Sequence, residues 1–210
     1  MLILRVTSLS VFARKCLMLV HEKDIFDKLE LRNTDLYGDN LDVDEDNPLR
    51  KVPALRLEDG TTLFDSPVIC EYLDCLDGDP HFHPQSGPER FKALRLQALG
   101  DALTEAAQSF SKEGMRPDRY RSPEMLDKYN SAIERILDWI QAHMDILDGP
   151  MSIGSRSLTC AIAYAEKWRT DTPWREPRPH LTRWYQTMCD RASFDGTSAE
   201  ANEKRLGATG

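Results

Sequence analysis

A segment dense in glycine and proline, DGDPHFHPQSGP at residues 77–88, divides the chain into two parts with different hydrophobic patterns. Before this segment, short strand-like and helix-like stretches alternate, and after it every apolar pattern has the spacing of a helix. The segment has no periodicity of its own, which is typical of a linker. We therefore predict one domain at residues 1–78, a second at residues 88–195, and a frayed polar tail at residues 196–210.

The first domain carries the pattern of a mixed α/β fold. We expect strands at residues 2–6, 29–32, 52–57 and 61–64, and helices at residues 11–23 and 66–76. The last two strands flank Glu58-Asp59-Gly60, which predicts an antiparallel hairpin. Ser66 is the expected cap of the next helix, with Pro67 at its first position. The predicted order is therefore βαβ-ββα.

The second domain carries helical patterns alone. One apolar face is formed by Phe91, Leu94, Ala98, Ala102, Ala106 and Phe110, and another by Met125, Tyr129, Ile133, Ile136, Ile140, Met144 and Leu147. Two further helices are expected at Ser157–Trp168 and Pro179–Cys189. These patterns predict an all-α domain.

Charge and cysteine content restrict the function. The formal net charge of -8 disfavours nucleic acid and anionic membranes as partners. No window has the roughly 18 uninterrupted apolar residues of a membrane span, and the first residues lack a secretory signal. The five cysteines form an odd set without a C-x-x-C pair, which indicates reduced thiols. We expect a cytoplasmic protein that acts on small molecules.

Three sequence strings resemble those of the glutathione transferase family. They are SVFARK at residues 10–15, NPLRKVPAL at residues 47–55 and FDSPVICEYL at residues 64–73. They look most like bacterial members related to the zeta, omega and beta classes, which place Ser or Cys at the start of the first helix. The resemblance implies a thioredoxin-like N-terminal lobe, an all-helical C-terminal lobe and a homodimer.

The same resemblance implies a function in detoxification, in which glutathione is a cosubstrate and attacks a small hydrophobic electrophile. One departure from the family lies in the second lobe. The family usually carries an aspartate three residues after a capping Ser or Thr, whereas the segment Ser157-Leu158-Thr159-Cys160 has a cysteine there. We expect half of this capping box to be lost.

Ser10 is the candidate catalytic residue. It stands where a thioredoxin-type lobe has the first cysteine of C-x-x-C, and Ala13 takes the second place. Without a resolving thiol, dithiol exchange by this chain alone is not expected. A hydroxyl at a helix N-terminus can instead donate a hydrogen bond to a thiolate, which the helix dipole also favours. The alternative is that Ser10 only caps the helix.

The resemblance implies a glutathione site at residues 51–53, 65 and 66. A cis Val52-Pro53 bond would direct the backbone of Val52 toward the cysteinyl unit of glutathione. Asp65 and Ser66 would bind the γ-glutamyl ammonium and carboxylate, and Lys51 the glycyl carboxylate. The alternatives are an ordinary strand that begins with Pro53, a simple helix start, and a solvated lysine.

The remaining candidates are weaker. The second substrate is expected to contact Phe110, Met115, Tyr120 and Trp168, although such side chains at helical spacing are commonly core. His81 and His83 form H-x-H in the linker, where solvated histidines are favoured over metal ligands, so we expect no metal site.

Two alternative functions remain open at this point. One is a glutathione-dependent isomerase, reductase or ether-cleaving enzyme, because a bound thiolate serves all of these reactions. The other is a non-catalytic binding or stress-response protein that retains the fold.

Overall fold

The computed structural model describes residues 1–36, 43–76, 78 and 80–207, and these form two compact units. The first unit consists of Met1–His83 together with Arg191–Gly210, and the second of Pro84–Asp190. The division between them falls inside the glycine- and proline-rich segment. The second unit ends at residue 190, earlier than the expected residue 195, because the chain returns to the first unit.

A four-stranded mixed sheet with helices forms the first unit. Its elements are β1 (Leu2–Val6), α1 (Val11–Glu22), a 3-10 turn (Phe26–Lys28), β2 (Leu29–Asn33), α2 (Val43–Asp46), β3 (Ala54–Arg56), β4 (Thr62–Leu63) and α3 (Ser66–Cys75). The strand order is β2-β1-β3-β4, with β1 parallel to β2 and the other pairs antiparallel. The βαβ-ββα prediction is confirmed.

The sheet is central because its strands bury apolar side chains. Leu4, Val6 and Leu55 are completely buried. Helices α1 and α3 pack against each other, and the Sγ atoms of Cys16 and Cys70 lie 3.6 Å apart between them. Burial of apolar surface is the main term that stabilises such a layer.

The expectation of a frayed tail is wrong. Two helices, α8 (Ala192–Asp195) and α9 (Ala199–Gly207), follow residue 190 and belong to the first unit, while residues 208–210 of the expected tail lie outside the described residues. Arg191 donates two 2.8 Å hydrogen bonds to the carboxylate of Glu22 in α1. Helix α9 lies against β2, and Leu206 is buried. These long-range contacts, rather than local composition, order the segment.

The second unit is all-helical, as predicted. Its helices are α4 (Gly87–Gly114), α5 (Pro123–Ala142), α6 (Ile153–Trp168) and α7 (Pro179–Cys189), with 3-10 turns at Asp118–Tyr120 and Met144–Leu147. Helix α6 packs against α4 and is almost entirely buried at its N-terminal half. A Cβ atom on Gly100 would lie 2.6 Å from Ser157, so a glycine is needed at this contact.

Helix α6 begins four residues earlier than expected, and its capping box is intact. Ser152 is the N-cap, its hydroxyl accepts from the Ser155 amide, and the Ser155 hydroxyl accepts from the Ser152 amide. Ser157 therefore lies inside the helix, where its hydroxyl donates to Asp101 at 2.7 Å. The predicted half-lost box at Ser157 and Cys160 is wrong, because Ser157 bonds across to α4 instead of capping.

Asp74 is a buried anchor for the end of the first domain. Its carboxylate accepts hydrogen bonds from the amides of Phe82 and His83 and from the His83 ring at 3.1 Å. The ammonium of Lys23 lies 3.6 Å away and donates to the carbonyls of Asp74 and Pro80. The expectation that His83 is a solvated loop histidine is wrong, since this network buries it. His81 is exposed, and residues 77 and 79 of the linker are outside the described ranges.

The network shifts the titration of Asp74. Burial alone would raise the pKa of its carboxyl, but the hydrogen bonds from the His83 ring and from the Phe82 and His83 amides outweigh burial and lower that pKa from 3.8 to about 2. A carboxyl whose pKa is lowered by folding stabilises the protein above its unfolded pKa. That contribution is lost as the pH falls toward the folded pKa.

We expect Asp74→Asn to lower the free energy of unfolding by about 2 kcal/mol at pH 7. The difference from wild type should stay constant down to about pH 4 and shrink between about pH 4 and pH 2. Urea denaturation at a series of pH values measures this difference.

Glu200→Gln is the control, because Glu200 pairs with Lys204 on the exposed surface of α9. It should have little effect at any pH. A difference for Asp74→Asn that is independent of pH down to pH 2 would contradict the assignment.

Candidate functional site

Ser10 is the N-cap of α1, as predicted. The amide of Ala13 donates to its Oγ at 3.2 Å, and the Ser10 carbonyl accepts from the Arg14 amide at 2.9 Å. A hydroxyl has two lone pairs and one proton, and the cap uses one lone pair. The Ser10 hydroxyl can therefore cap the helix and donate to a thiolate at the same time, so these two predicted roles do not exclude each other.

The N-terminus of α1 is electrostatically suited to an anion. No acidic residue occupies its first turn, so the positive end of the helix dipole is not neutralised there. Arg14 lies in this turn, donates to the Phe194 carbonyl at 2.9 Å and stacks 4.2 Å from the Phe194 ring centroid. No local sequence pattern indicates these contacts of Arg14, because its partner is 180 residues away in the chain.

Val52 presents backbone groups for a ligand. The Val52-Pro53 peptide bond is cis, as predicted, and so is the bond between Phe64 and Asp65. Within the described part of the chain, neither the N–H nor the C=O of Val52 makes a hydrogen bond. Pro53 is buried, Lys51 is exposed, and β3 begins directly after them.

The loop before Val52 is held by Asn47, a residue that the sequence analysis did not single out. Its side-chain amide donates to the Lys51 carbonyl at 2.8 Å, and its Oδ1 accepts from the Leu49 amide at 3.0 Å. Arg50 in the same loop has a φ of 51°, which turns the chain back toward β3. The sequence signal was an asparagine directly before a proline, which commonly begins a turn.

Helix α3 begins at Ser66 as predicted, but its N-cap differs from the expected one. Asp65 rather than Ser66 is the N-cap, and its carbonyl accepts from the Ile69 amide at 3.1 Å. The Asp65 carboxylate is exposed and makes no capping hydrogen bond. Among the described residues, no partner accepts from the amides of Ser66 and Val68. The predicted cap at Ser66 is therefore wrong, but the helix start keeps two amides available for an anion.

The strand register brings these groups to one edge of the sheet. Arg5 of β1 pairs with Ala54 of β3, and Leu55 of β3 pairs with Leu63 of β4. Beyond these pairs, the chain runs forward from β1 to Ser10 and forward from β4 to Asp65 and Ser66. Val52 precedes the start of β3 on the same side, because β3 is antiparallel to both strands. The segments that carry the residues predicted to contact glutathione therefore all meet the sheet at the edge formed by the carboxyl end of β1. Lys51 directly precedes Val52 there.

The four residues predicted for the second substrate all lie in the second unit. Phe110 packs against the helical core there, as the alternative reading expected. Met115, Tyr120 and Trp168 are 61%, 55% and 37% exposed, so plain core packing does not explain them. Their role with a second substrate stays a prediction.

A concave region of about 670 Å³ is lined by Met1, Leu2 and Tyr72, at the amino end of β1, and contains none of the predicted site residues. Among residues 1–36, 43–76, 78 and 80–207, no group of three His, Cys, Asp or Glu side chains is placed to hold a metal ion. No helix in the same ranges is long and apolar enough to cross a membrane.

Comparison with known proteins gives consistent similarities. The family model described as glutathione S-transferase, N-terminal domain, matches residues 9–76. The chain is 31% identical to the uncharacterized GST-like protein YibF of Escherichia coli K12, over 90% of this chain and 94% of that protein.

Two bacterial crystal structures are similar over nearly their whole length. A glutathione transferase family member from Pseudomonas fluorescens Pf-5 with bound glutathione has 31% identity and a TM-score of 0.88, covering 94% of this chain and 98% of that one. A glutathione S-transferase from Methylobacillus flagellatus KT with glutathione bound has 30% identity and a TM-score of 0.88, covering 94% and 99%.

Proposed function

The chain belongs to the glutathione S-transferase family, and on that basis we propose that it is a cytoplasmic glutathione transferase in which Ser10 holds the glutathione sulfur as a thiolate. The observation that carries this proposal is the capping geometry of Ser10, which leaves its proton to donate. The thiolate then attacks a hydrophobic electrophile, in a reaction of the detoxification type. The five reduced cysteines favour the cytoplasm.

The edge at the carboxyl end of β1 suits an extended tripeptide. In our proposal, the cysteinyl unit of glutathione pairs with the N–H and C=O of Val52 as an added strand would. The γ-glutamyl carboxylate accepts from the amides of Ser66 and Val68, and Asp65 binds the γ-glutamyl ammonium. Lys51 neutralises the glycyl carboxylate. Each charged end of the ligand thereby meets a group of opposite polarity.

The energy needed for thiolate stabilisation is within reach of this site. A thiol with a pKa of about 8.5 is roughly 3% ionised at pH 7, and a shift of about two units raises that to roughly three quarters. Such a shift corresponds to about 2.7 kcal/mol. A hydrogen bond to a charged group supplies about 1.5 to 3 kcal/mol, and the helix dipole about 0.3 to 1.

The cysteine positions favour transfer over dithiol exchange. Ala13 occupies the place of a resolving cysteine. The next cysteine along α1, Cys16, is completely buried against Cys70. Ser10 has no thiol and cannot form a mixed disulfide, and even a cysteine at this position would have no neighbouring thiol to resolve one. The second substrate contacts Met115, Tyr120 and Trp168, whose exposed apolar surfaces suit a hydrophobic electrophile.

We further propose a homodimer in which the first domain of one subunit packs against the helices after the linker in the other. Leu49 and Val68 of the first unit are 54% and 46% exposed, and Phe91 of α4 is 71% exposed. The proposed interface would remove these apolar side chains from water, in line with the apolar cores of homodimer interfaces.

Light scattering at micromolar concentration should give twice the monomer mass of 24.0 kDa, and Phe91→Glu should reduce it to the monomer. Tyr120→Glu is the control, since it charges another exposed aromatic that we do not assign to the interface. A wild-type mass near 24.0 kDa would rule the dimer out.

Asp65→Lys should weaken glutathione binding by at least about 2 kcal/mol, because a charge-assisted bond to the ammonium is replaced by repulsion. Calorimetry measures this change. Asp59→Lys makes the same charge reversal at an exposed turn of the hairpin and should leave the affinity unchanged. An unchanged affinity for Asp65→Lys would remove Asp65 from the site.

Ser10→Ala should cut glutathione-dependent turnover at neutral pH by about tenfold or more, since the thiolate loses its hydrogen bond. Ser10→Cys should divert the protein toward mixed disulfides and glutathione-linked reduction. A screen of aryl halides, epoxides and disulfides with glutathione measures both effects.

Ser122→Ala is a matched control, because the Ser122 hydroxyl caps α5 in the same way and accepts from the Met125 amide at 3.3 Å. It should cost about 1 kcal/mol of stability without loss of turnover. Equal turnover losses for both variants would mean that Ser10 acts only as a helix cap.

A further inference from the structure

We infer that Asn47 is a positioning residue for glutathione, because its side chain orients the peptide group that carries the Val52 N–H. This inference rests on the proposed function, in which that N–H donates to the cysteinyl unit. Asn47 makes no direct contact with the ligand in this account. It acts through the Lys51-Val52 peptide.

The side chain of Asn47 is 1% exposed and bonds at both ends of its amide. Its Nδ2 donates to the Lys51 carbonyl at 2.8 Å, and its Oδ1 accepts from the Leu49 amide at 3.0 Å. A buried side-chain amide that is satisfied on both sides fixes the backbone it bonds.

The backbone of Asn47 is held as firmly as its side chain. Its N–H donates to the Val43 carbonyl at 2.8 Å, and its C=O accepts from the Arg50 amide at 2.9 Å. Together with the two side-chain bonds, these contacts tie residues 43–51 into one closed loop. The loop ends at the peptide group just before Val52.

This loop is attached to the sheet through the residue before Asn47. Asp46 is buried and forms an ion pair with the buried side chain of Arg5 in β1. Arg56 of β3 lies 3.8 Å from the same carboxylate. The position of Asn47 is thereby set relative to β1 and β3, two of the three strands whose ends form the candidate site.

Planarity of the peptide bond transmits the position of Asn47 to the ligand. The Lys51 carbonyl and the Val52 N–H belong to one peptide group, in which the C=O and N–H bonds point in opposite directions. A hydrogen bond to the Lys51 carbonyl oxygen therefore fixes the direction of the Val52 N–H on the opposite side of the peptide. It also polarises the peptide, which strengthens the N–H as a donor.

The test compares Asn47→Ala with Asn202→Ala. Asn202 is likewise buried in the first unit, and its side-chain amide donates to the Thr197 carbonyl at 3.0 Å, so it is matched in burial and bond type. Both variants should lower the thermal midpoint. Only Asn47→Ala should raise the glutathione dissociation constant, by about five- to tenfold, with turnover at saturating glutathione nearly unchanged.

A second readout reports on the peptide itself. In amide NMR spectra without ligand, Asn47→Ala should shift the Val52 N–H signal upfield, because its carbonyl partner loses a donor. Asn202→Ala should leave that signal in place. Asn47→Ser is the fallback where the alanine variant does not fold, since a serine hydroxyl can still accept from the Leu49 amide but is too short to reach the Lys51 carbonyl.

The outcomes separate this inference from the proposed function. If wild type binds glutathione and Asn47→Ala or Asn47→Ser binds it equally well, the positioning role is wrong and the proposed function stands. Equal losses of affinity in Asn47→Ala and Asn202→Ala would also overturn it, because the effect would then follow stability alone. A wild type that does not bind glutathione would overturn both.

Discussion

The antiparallel register of β3 between β1 and β4 is the constraint on which the site depends. It aligns three separate chain segments, so that Ser10, Val52 and Ser66 all follow or precede strand ends at the same edge. Each segment then adds a different polar group at that edge: a capping hydroxyl, an open backbone N–H and C=O, and the free amides of a helix start. None of these groups would form a tripeptide site alone.

Local signals in the sequence were sufficient for the elements that form this edge. Ser10 lies at its helix start, and the βαβ-ββα order is correct, because caps and hydrophobic periods act within one turn or one strand. The cap of α3 was placed one residue late, since Ser66 and Asp65 are both good N-cap residues and local propensity does not distinguish them. Binding roles at Lys51, Asp65 and Ser66 remain predictions.

Features created by long-range contacts were not predictable from local patterns. The polar segment after residue 190 is ordered by Arg191 binding Glu22, and His83 is buried because Asp74 binds its ring and amide. Ser157 bonds with Asp101 of α4 instead of capping α6, and this partner is 56 residues away in the chain. The role of Asn47 depends on its hydrogen bonds within the loop before Val52, and a periodic hydrophobic pattern does not indicate such bonds.

The central claim is that the hydroxyl of Ser10 stabilises the thiolate of bound glutathione while it also caps α1. Its most direct test is a pH titration of the far-ultraviolet thiolate absorbance of bound glutathione. In the wild type the thiol should ionise about two units below a free thiol of pKa about 8.5, and in Ser10→Ala the midpoint should rise by about one unit or more. Identical midpoints in the two proteins would contradict the account.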